Sequence, residues 1–297
     1  MRCRVILAVA ALAFSQVSWA NGPETWLKRM TDSHRTLNYQ GVVTYQVDDR
    51  LSSFKVSHVV KDGREYESLE ALSHGEHEVI RQGHDISCVH PGPELLHLLA
   101  GDSPEAKQLQ KLYHLSLRES GSVAGRAAIG LSIQPKDVYR LGYRLALDKE
   151  TGLLLRSEIV NKRGKVLERF EYVVLDLSFD EAALERDESQ LIAHPPVGEQ
   201  GSVPEVNWRV SWLPDGFTPL AVRDQAPSIS YTDGLAVFTV FVESTEGAAS
   251  QSDSHMRRGA SVSYSTTHKS RGVRVSVVGE IPMLTARQVA LGVEWPE

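Results

Sequence analysis

The chain has 297 residues, of which 41% are hydrophobic and 24% charged. This composition is typical of a globular protein and excludes a collagen-like, coiled-coil or mainly disordered chain. The formal net charge of −6 argues against a general nucleic-acid binder, whose surface would carry a basic surplus. At about 100–200 residues per domain, the length predicts one or two domains.

The N-terminal segment has the layout of a secretory signal peptide. Two arginines precede an apolar run at 5–14, and the small residues Ser18 and Ala20 occupy the −3 and −1 positions of a cut after Ala20. The apolar run is too short for a spanning helix, which needs about 20 residues. We therefore expect export to the periplasm and removal of this segment. Cys88 is then the only cysteine left, so no internal disulfide is expected.

The next part of the chain predicts one helix followed by two strands. Trp26, Leu27 and Met30 recur near the helical period of 3.6 residues. From Val43 the apolar period changes to two, which predicts two strands joined by a hairpin turn at 48–50. Further on, Ser103 followed by a proline predicts the start of a short helix that buries Leu109, Leu112 and Tyr113.

An antiparallel meander is predicted after this helix. Apolar and polar residues alternate along 129–133, 141–147, 153–159 and 166–177, and the links between these runs are short. Leu153, Leu155 and Ile159 are expected to share one face of the third strand. The candidate residues for lining an apolar cavity are Val43, Tyr45, Leu131, Tyr143, Leu145 and Leu155.

The last third of the chain predicts a linker and a small α+β domain. The linker is expected because an acidic stretch is followed by several prolines and glycines. Strands are predicted near 208–212, 235–242, 262–266 and 273–278, with an exposed loop at 248–258 and a short helix that starts with a capping-box pattern at Thr285. The predicted organisation is a signal peptide at 1–20, an N-terminal domain at 21–182, a linker at 183–206 and a C-terminal domain at 207–297.

The search for catalytic motifs is mostly negative. The sequence contains no GxSxG, GxGxxG, Walker A, HExxH or CxxC string. The densest polar cluster runs from His74 to His90 and includes Cys88, and its residue types are all possible zinc ligands. The alternative interpretation involves no metal: the histidines are partly exposed residues of a hairpin, and Cys88 is a buried strand residue. We predict no catalytic residue, no resident metal and no cofactor.

Basic residues concentrate on the predicted meander of an otherwise acidic protein. They form either the solvated face of a sheet or a patch that binds an acidic peptide or an anionic lipid headgroup. The candidate binding residues are Arg140, Arg144, Arg156 and Arg169.

Several strings, in order along the chain, resemble the RseB/MucB family of periplasmic sigma-factor regulators. They lie at 38–45 (NYQGVVTY), 123–172, 208–217 (WRVSWLPDGF), 231–238 and 277–282. The resemblance covers nearly all of the chain after the signal peptide. It is lowest at 71–110, which includes the histidine cluster.

The resemblance implies an α+β fold. Its larger N-terminal domain would be like the lipoprotein carriers LolA and LolB, with an incomplete antiparallel barrel wrapped around helices. It also implies a function, because family members bind the periplasmic region of a membrane anti-sigma factor, RseA or MucA. Binding shields that region from the first protease of a cleavage cascade. Lipopolysaccharide or another amphiphile displaces the regulator and so releases an envelope-stress sigma factor.

Two other functions remain open at this stage. A lipid or lipoprotein carrier of the LolA/LolB type would need a deep apolar cavity, and the additional C-terminal domain argues against it. A periplasmic hydrolase would use the cluster between His74 and His90. The sequence does not give the oligomeric state, so a homodimer stays open, and no nucleic acid is expected as a partner.

Overall fold

The described residues form two large antiparallel sheets that contact each other and a separate pair of short strands. The computed structural model describes residues 22–61, 64–72, 109–178, 192–193, 205–220, 228–245 and 252–296. None of the helices in these ranges is long and apolar enough to cross a membrane. The signal peptide, the His74–His90 cluster and most of the predicted linker lie outside the described residues.

Among the described residues, the N-terminal part consists of one complete helix, the end of a second helix at 109–112 and an open sheet of nine strands. Its elements are α1 (Pro23–Thr36), β1 (Tyr39–Val47), β2 (Arg50–Lys61), β3 (Arg64–Ala71), β4 (Tyr113–Val123), β5 (Arg126–Pro135), β6 (Gly142–Asp148), β7 (Leu154–Val160), β8 (Val166–Asp176) and β9 (Ile192–Ala193). The strand order is β4-β5-β6-β7-β8-β1-β2-β3-β9, with every pair antiparallel. The predicted meander is therefore confirmed as β5 to β8, and β4 and β9 are the unjoined ends of the sheet.

Helix α1 packs on one face of this sheet, which we call the packed face. Pro23 opens the helix at a position where its missing N–H costs nothing, and Leu37 ends it because its ψ of 136° is extended. Trp26, Leu27 and Met30 are buried in one cluster with residues of β5 and β6. Arg29 also donates to the carbonyl of Glu150 at 2.7 Å, so the helix is tied to the β6–β7 turn.

A β-bulge interrupts the alternation in β7. Ala146 of β6 pairs with Arg156 and Leu147 pairs with Leu154, so Leu155 is left as an extra residue without a partner. Leu155 packs with Ala128 and Ala146, whereas Leu153 and Ile159 each belong to a different cluster. The prediction that Leu153, Leu155 and Ile159 share one face is therefore wrong.

The C-terminal part is a six-stranded sheet with one helix packed against it. Its elements are β10 (Arg209–Val210), β11 (Thr218–Pro219), β12 (Ser228–Thr232), β13 (Val237–Ser244), β14 (Ser254–Arg258), β15 (Ser261–His268), β16 (Val273–Gly279), α2 (Met283–Leu291) and β17 (Val293–Glu294). The sheet order is β11-β12-β13-β16-β15-β14, and β10 pairs separately with β17. Helix α2 lies against β15 and β16. The α+β fold class is confirmed.

Four local expectations need correction. Residues 254–258, predicted as a loop, form the exposed strand β14. Helix α2 begins at Met283 rather than with a cap at Thr285, whose hydroxyl donates to the carbonyl of Tyr139 instead. The predicted helix after Ser103 has its described end at 109–112, and Tyr113 already starts strand β4, which the sequence did not predict. Residues 192–193, inside the predicted linker, pair with β3.

Candidate functional site

Three of the four predicted arginines lie together on the face of the sheet opposite α1, which we call the arginine face. Directly paired residues of neighbouring strands share a face. Arg144 pairs with Glu158, and Glu158 pairs with Arg169. The guanidinium of Arg169 lies 2.7 Å from the Glu158 carboxylate and that of Arg144 lies 3.7 Å away. This row therefore carries two positive charges for each negative charge.

A second row on the arginine face adds a residue that the sequence analysis missed. Arg156 pairs with Glu171, and their charged groups are 3.7 Å apart. Arg118 of β4 pairs with Gly130, and the absence of a side chain there lets Arg118 lie across β5. The signal for Arg118 was present, since Leu115 and Leu117 alternate with His114, Ser116 and Arg118. It was missed because the preceding helix was extended to Tyr113.

The arginines border an open cleft of about 310 Å³. Arg118, Arg144 and Arg156 line it together with Glu119, Ser120, Leu145 and Glu158. Arg156 donates to the Ser120 hydroxyl at 3.3 Å and Arg144 to the carbonyl of Gly164 at 3.2 Å. Guanidinium groups bind carboxylates and phosphates in a forked geometry, so this cleft is suited to an anionic group.

Arg140 does not belong to this surface, because its side chain is completely buried between the two domains. Its guanidinium donates to Asp233 at 2.5 Å, and it also contacts the carboxylate of Asp137 and the carbonyl of Asp215. It lies 5.0 Å above the ring of Phe217. Arg140 is therefore occupied within the protein, and assigning it to a surface binding patch is wrong.

Tyr113 completes the polar network around Arg140. Its hydroxyl donates to Asp233 at 2.8 Å. Burial, and then the charge of Asp233, raise the pKa of Tyr113 well above its ordinary value, so the hydroxyl keeps its proton as a donor. The other carboxylate oxygen of Asp233 accepts from the backbone N–H groups of Leu235 and Ala236 at 2.9 Å. Both oxygens of this buried acid are therefore satisfied.

A second contact between the domains lies at the β1–β2 hairpin. Glu168 accepts from the backbone N–H of Ala260 at 2.8 Å and from the Tyr45 hydroxyl at 2.5 Å. Burial and the neighbouring Glu168 charge raise the pKa of Tyr45. Asp48 accepts from the backbone N–H of Gly259 at 2.9 Å. Within the described ranges, the C-terminal domain is thus held by buried polar contacts at two separate places.

The six residues expected to line a cavity are distributed over three clusters in the described structure. Leu131, Tyr143 and Leu145 pack in the cluster that includes α1. Val43 belongs to a second cluster, which Tyr45 borders. Leu155 lies in a third, as described above. The first cluster also contains Leu235 and Ala260 of the C-terminal domain, so both domains share it.

The described residues offer no assembled metal centre. Within the described ranges, no group of three or more His, Cys, Asp or Glu side chains could hold a metal ion. The cluster between His74 and His90 lies outside these ranges, so its chemistry stays a prediction. What the described geometry supports is binding, through the arginine face and the apolar cluster shared by both domains.

Comparison with known families and proteins extends over almost the whole chain. Residues 22–191 match the MucB/RseB N-terminal domain and residues 202–294 the MucB/RseB C-terminal domain. The sigma factor AlgU regulatory protein MucB of Pseudomonas aeruginosa is 33% identical, over 97% of this chain and 96% of its own length. The sigma-E factor regulatory protein RseB of Haemophilus influenzae is 28% identical, over 91% of this chain and 90% of its own.

Solved structures give the same correspondence in three dimensions. The MucA/MucB complex of Pseudomonas aeruginosa matches with a TM-score of 0.73 and 29% identity, over 93% of this chain and 99% of the solved one. A crystal structure of MucB in complex with MucA(peri) matches with a TM-score of 0.70 and 30% identity, over 92% of this chain and 98% of the solved one.

Proposed function

The chain belongs to the MucB/RseB family, and on that premise we propose that it regulates an envelope-stress sigma factor from the periplasm. It binds the periplasmic region of a MucA- or RseA-like anti-sigma factor and shields that region from site-one proteolysis. The observation that carries the proposal is the match to MucB in complex with MucA over 93% and 92% of this chain. Occlusion of a cleavage site needs only binding, so no catalytic residue is required.

We assign the release step to an amphiphile such as lipopolysaccharide. The support is the apolar cluster that both domains share, in which Leu235 and Ala260 pack against residues of the nine-stranded sheet. Acyl chains that enter this cluster compete with the packing between the domains. An amphiphile displaces the partner only if it binds the partner-free protein more tightly than the bound form.

The deciding experiment is a cleavage assay with the site-one protease. The substrate is the periplasmic region of the MucA-like anti-sigma factor from the same genome. We expect the full-length mature protein to slow cleavage in proportion to the complex formed, and lipopolysaccharide to restore the rate. An unrelated substrate of the same protease, cleaved at an unchanged rate, controls for inhibition of the protease. Equal cleavage rates with and without the protein, and no complex at micromolar concentrations, would overturn the proposal.

A further inference from the structure

Strand β4 presents one free edge among the described residues. It ends the nine-stranded sheet and pairs there only with β5. Lys136 donates its backbone N–H to the carbonyl of Leu112 at 2.9 Å, which fixes the even-numbered residues as those bonded to β5. Tyr113 then falls opposite Pro135, which has no N–H to give. The backbone N–H and C=O groups of Leu115, Leu117 and Glu119 therefore point outward from the sheet.

The two sides of this edge differ in chemistry. Arg118 is exposed on the arginine face and makes no hydrogen bond or ion pair with another described residue. Behind it lie Arg144 and Arg156, whose glutamate partners are 3.7 Å away and leave guanidinium donors unused. On the other side Leu115 and Leu117 are only partly buried against the α1 cluster. One side of the edge therefore favours carboxylates and the other favours apolar side chains.

We propose that the outer edge of β4 binds an extended segment of the anti-sigma factor as an added strand. Acidic side chains at alternate positions of that segment face Arg118 and the guanidinium of Arg156, which reaches the Ser120 hydroxyl of β4 at 3.3 Å. Apolar side chains at the intervening positions cover Leu115 and Leu117. Strand addition of this kind takes affinity from backbone hydrogen bonds and specificity from alternate side chains. The inference rests on the proposed function, since it assigns a surface to that same partner.

The cleft favours a peptide over a lipid headgroup. Among the residues that line it, Leu145 is the only apolar one, and its side chain is 2% exposed. Acyl chains attached to a phosphate would find no apolar contact there, whereas a strand is bonded along its whole length. The regular edge ends at the bulge between Glu119 and Ser122, where Gly121 has a φ of +66°. The docked part of the segment therefore spans the run from Tyr113 to Glu119.

Two pairs of variants test the edge in the full-length mature protein. Glu119→Pro removes one outward-pointing N–H of β4 and leaves the hydrogen bonds to β5 in place. Proline is tolerated at such an edge position because the missing N–H faces solvent. Glu119→Ala is its control, because both variants lose the ion pair with Lys149 but only the proline loses the N–H. Arg118→Glu reverses the charge beside the cleft. Lys55→Glu makes the same change at an exposed position of the same face, on the distant strand β2.

The readout is the Kd for the periplasmic region of the MucA-like anti-sigma factor, measured by isothermal titration calorimetry. We expect Glu119→Pro and Arg118→Glu to bind about tenfold more weakly, and both controls to bind like the unmodified protein. Replacing the Asp and Glu residues of the segment by Lys, one at a time, should restore binding to Arg118→Glu at one position or more. Unchanged Tm values show that the variants fold.

Each other outcome has a separate meaning. If the unmodified protein does not bind the segment, the proposed function fails. If it binds and both edge variants bind equally tightly, the function stands and the assignment to β4 is wrong. Vesicles of phosphatidylglycerol test the lipid alternative. Loss of vesicle binding in Arg118→Glu, with segment binding intact, would assign the cleft to lipid and overturn the inference.

Discussion

Asp148 is the polar residue that holds the β6–β7 turn beneath α1. Its carboxylate accepts from Arg126 at 2.8 Å and from the Thr151 hydroxyl at 2.7 Å. The backbone N–H of Thr151 adds a third bond at 3.2 Å. Burial alone would raise the pKa of Asp148, but these hydrogen bonds together lower it below the ordinary value. The folded protein therefore favours the ionised form.

Replacing Asp148 by Asn should destabilise the fold by about 1–3 kcal/mol near neutral pH, because the amide oxygen that then accepts from Arg126 and Thr151 carries no negative charge. The ordinary pKa of Asp is about 3.9. Since the folded-state pKa is lower, the stabilisation is present above that pH and is lost as the pH falls through the folded-state value. The free energies of unfolding of the two proteins should therefore converge below about pH 4.

Urea unfolding at neutral and acid pH measures this difference. Glu150→Gln is the matched control, because Glu150 binds the same Arg126 but its side chain is 82% exposed. An exposed ion pair contributes little, so this variant should keep its stability at both pH values. Equal losses in the two variants would contradict the role of Asp148.

At the scale of single residues, the sequence predicted side-chain chemistry better than location. The positions of Arg144, Arg156 and Arg169 follow from strand alternation, which is local. Arg140 lies in the link between β5 and β6. The carboxylate that it binds, Asp233, is 93 residues further along the chain. No rule of sequence spacing connects Arg140 with Asp233. The sequence therefore could not distinguish an arginine with a buried partner from an arginine on the surface.

At the scale of elements, period-two patterns located β5 to β8 but could not locate the bulge in β7. The run Leu153, Leu154 and Leu155 is apolar at every position, so alternation gives no phase there. The bulge sets the phase of the alternation by leaving Leu155 unpaired. The edge strand β4 was missed for a related reason, because its apolar residues follow directly on those of a helix end.

The packed face gives an element-scale prediction. Leu145→Ala should destabilise the protein by about 2–5 kcal/mol, because Leu145 is 2% exposed and its neighbours in the α1 cluster are also buried. Val174→Ala, in a side chain that is 55% exposed on the same sheet, should change the stability little. The measurement is the free energy of unfolding in urea. A loss at residue 145 no larger than at 174 would show that Leu145 borders an open cavity rather than a packed core.

At the scale of the whole molecule, the two domains form one body joined at two places. Arg140 and Asp233 are both completely buried at the first, and Glu168 meets Ala260 at the second. Tyr139 and Trp212 add a ring contact across the boundary, with centroids 5.0 Å apart. The sequence indicated two units but gave no sign of this contact, because each partner residue is an ordinary member of its own turn or strand.

Arg140→Met should cost about 3–5 kcal/mol, because it leaves the Asp233 charge buried without its cation. Adding Asp233→Asn removes that charge while keeping an oxygen for the N–H groups of Leu235 and Ala236. The double variant should therefore be more stable than Arg140→Met alone. Urea unfolding followed by tryptophan fluorescence provides the measurement, since Trp212 lies at the interface.

The control for this cycle is Arg209→Met, which breaks the exposed pair with Glu294. We expect it to change the stability by less than about 1 kcal/mol. If Arg140→Met is equally mild, or if the double variant is the least stable of the set, the buried pair does not hold the domains together.

The buried guanidinium also restricts how the two halves of the gene can change. A C-terminal domain without a carboxylate at the position of Asp233 would leave this buried cation with Asp137 as its one carboxylate partner among the described residues. A chimera that combines such a domain with this N-terminal half would fold poorly even if each half were sound in its parent protein. Substitutions at 140 and 233 are therefore expected to occur together, and we expect the two domains to be inherited as a matched pair rather than as interchangeable modules.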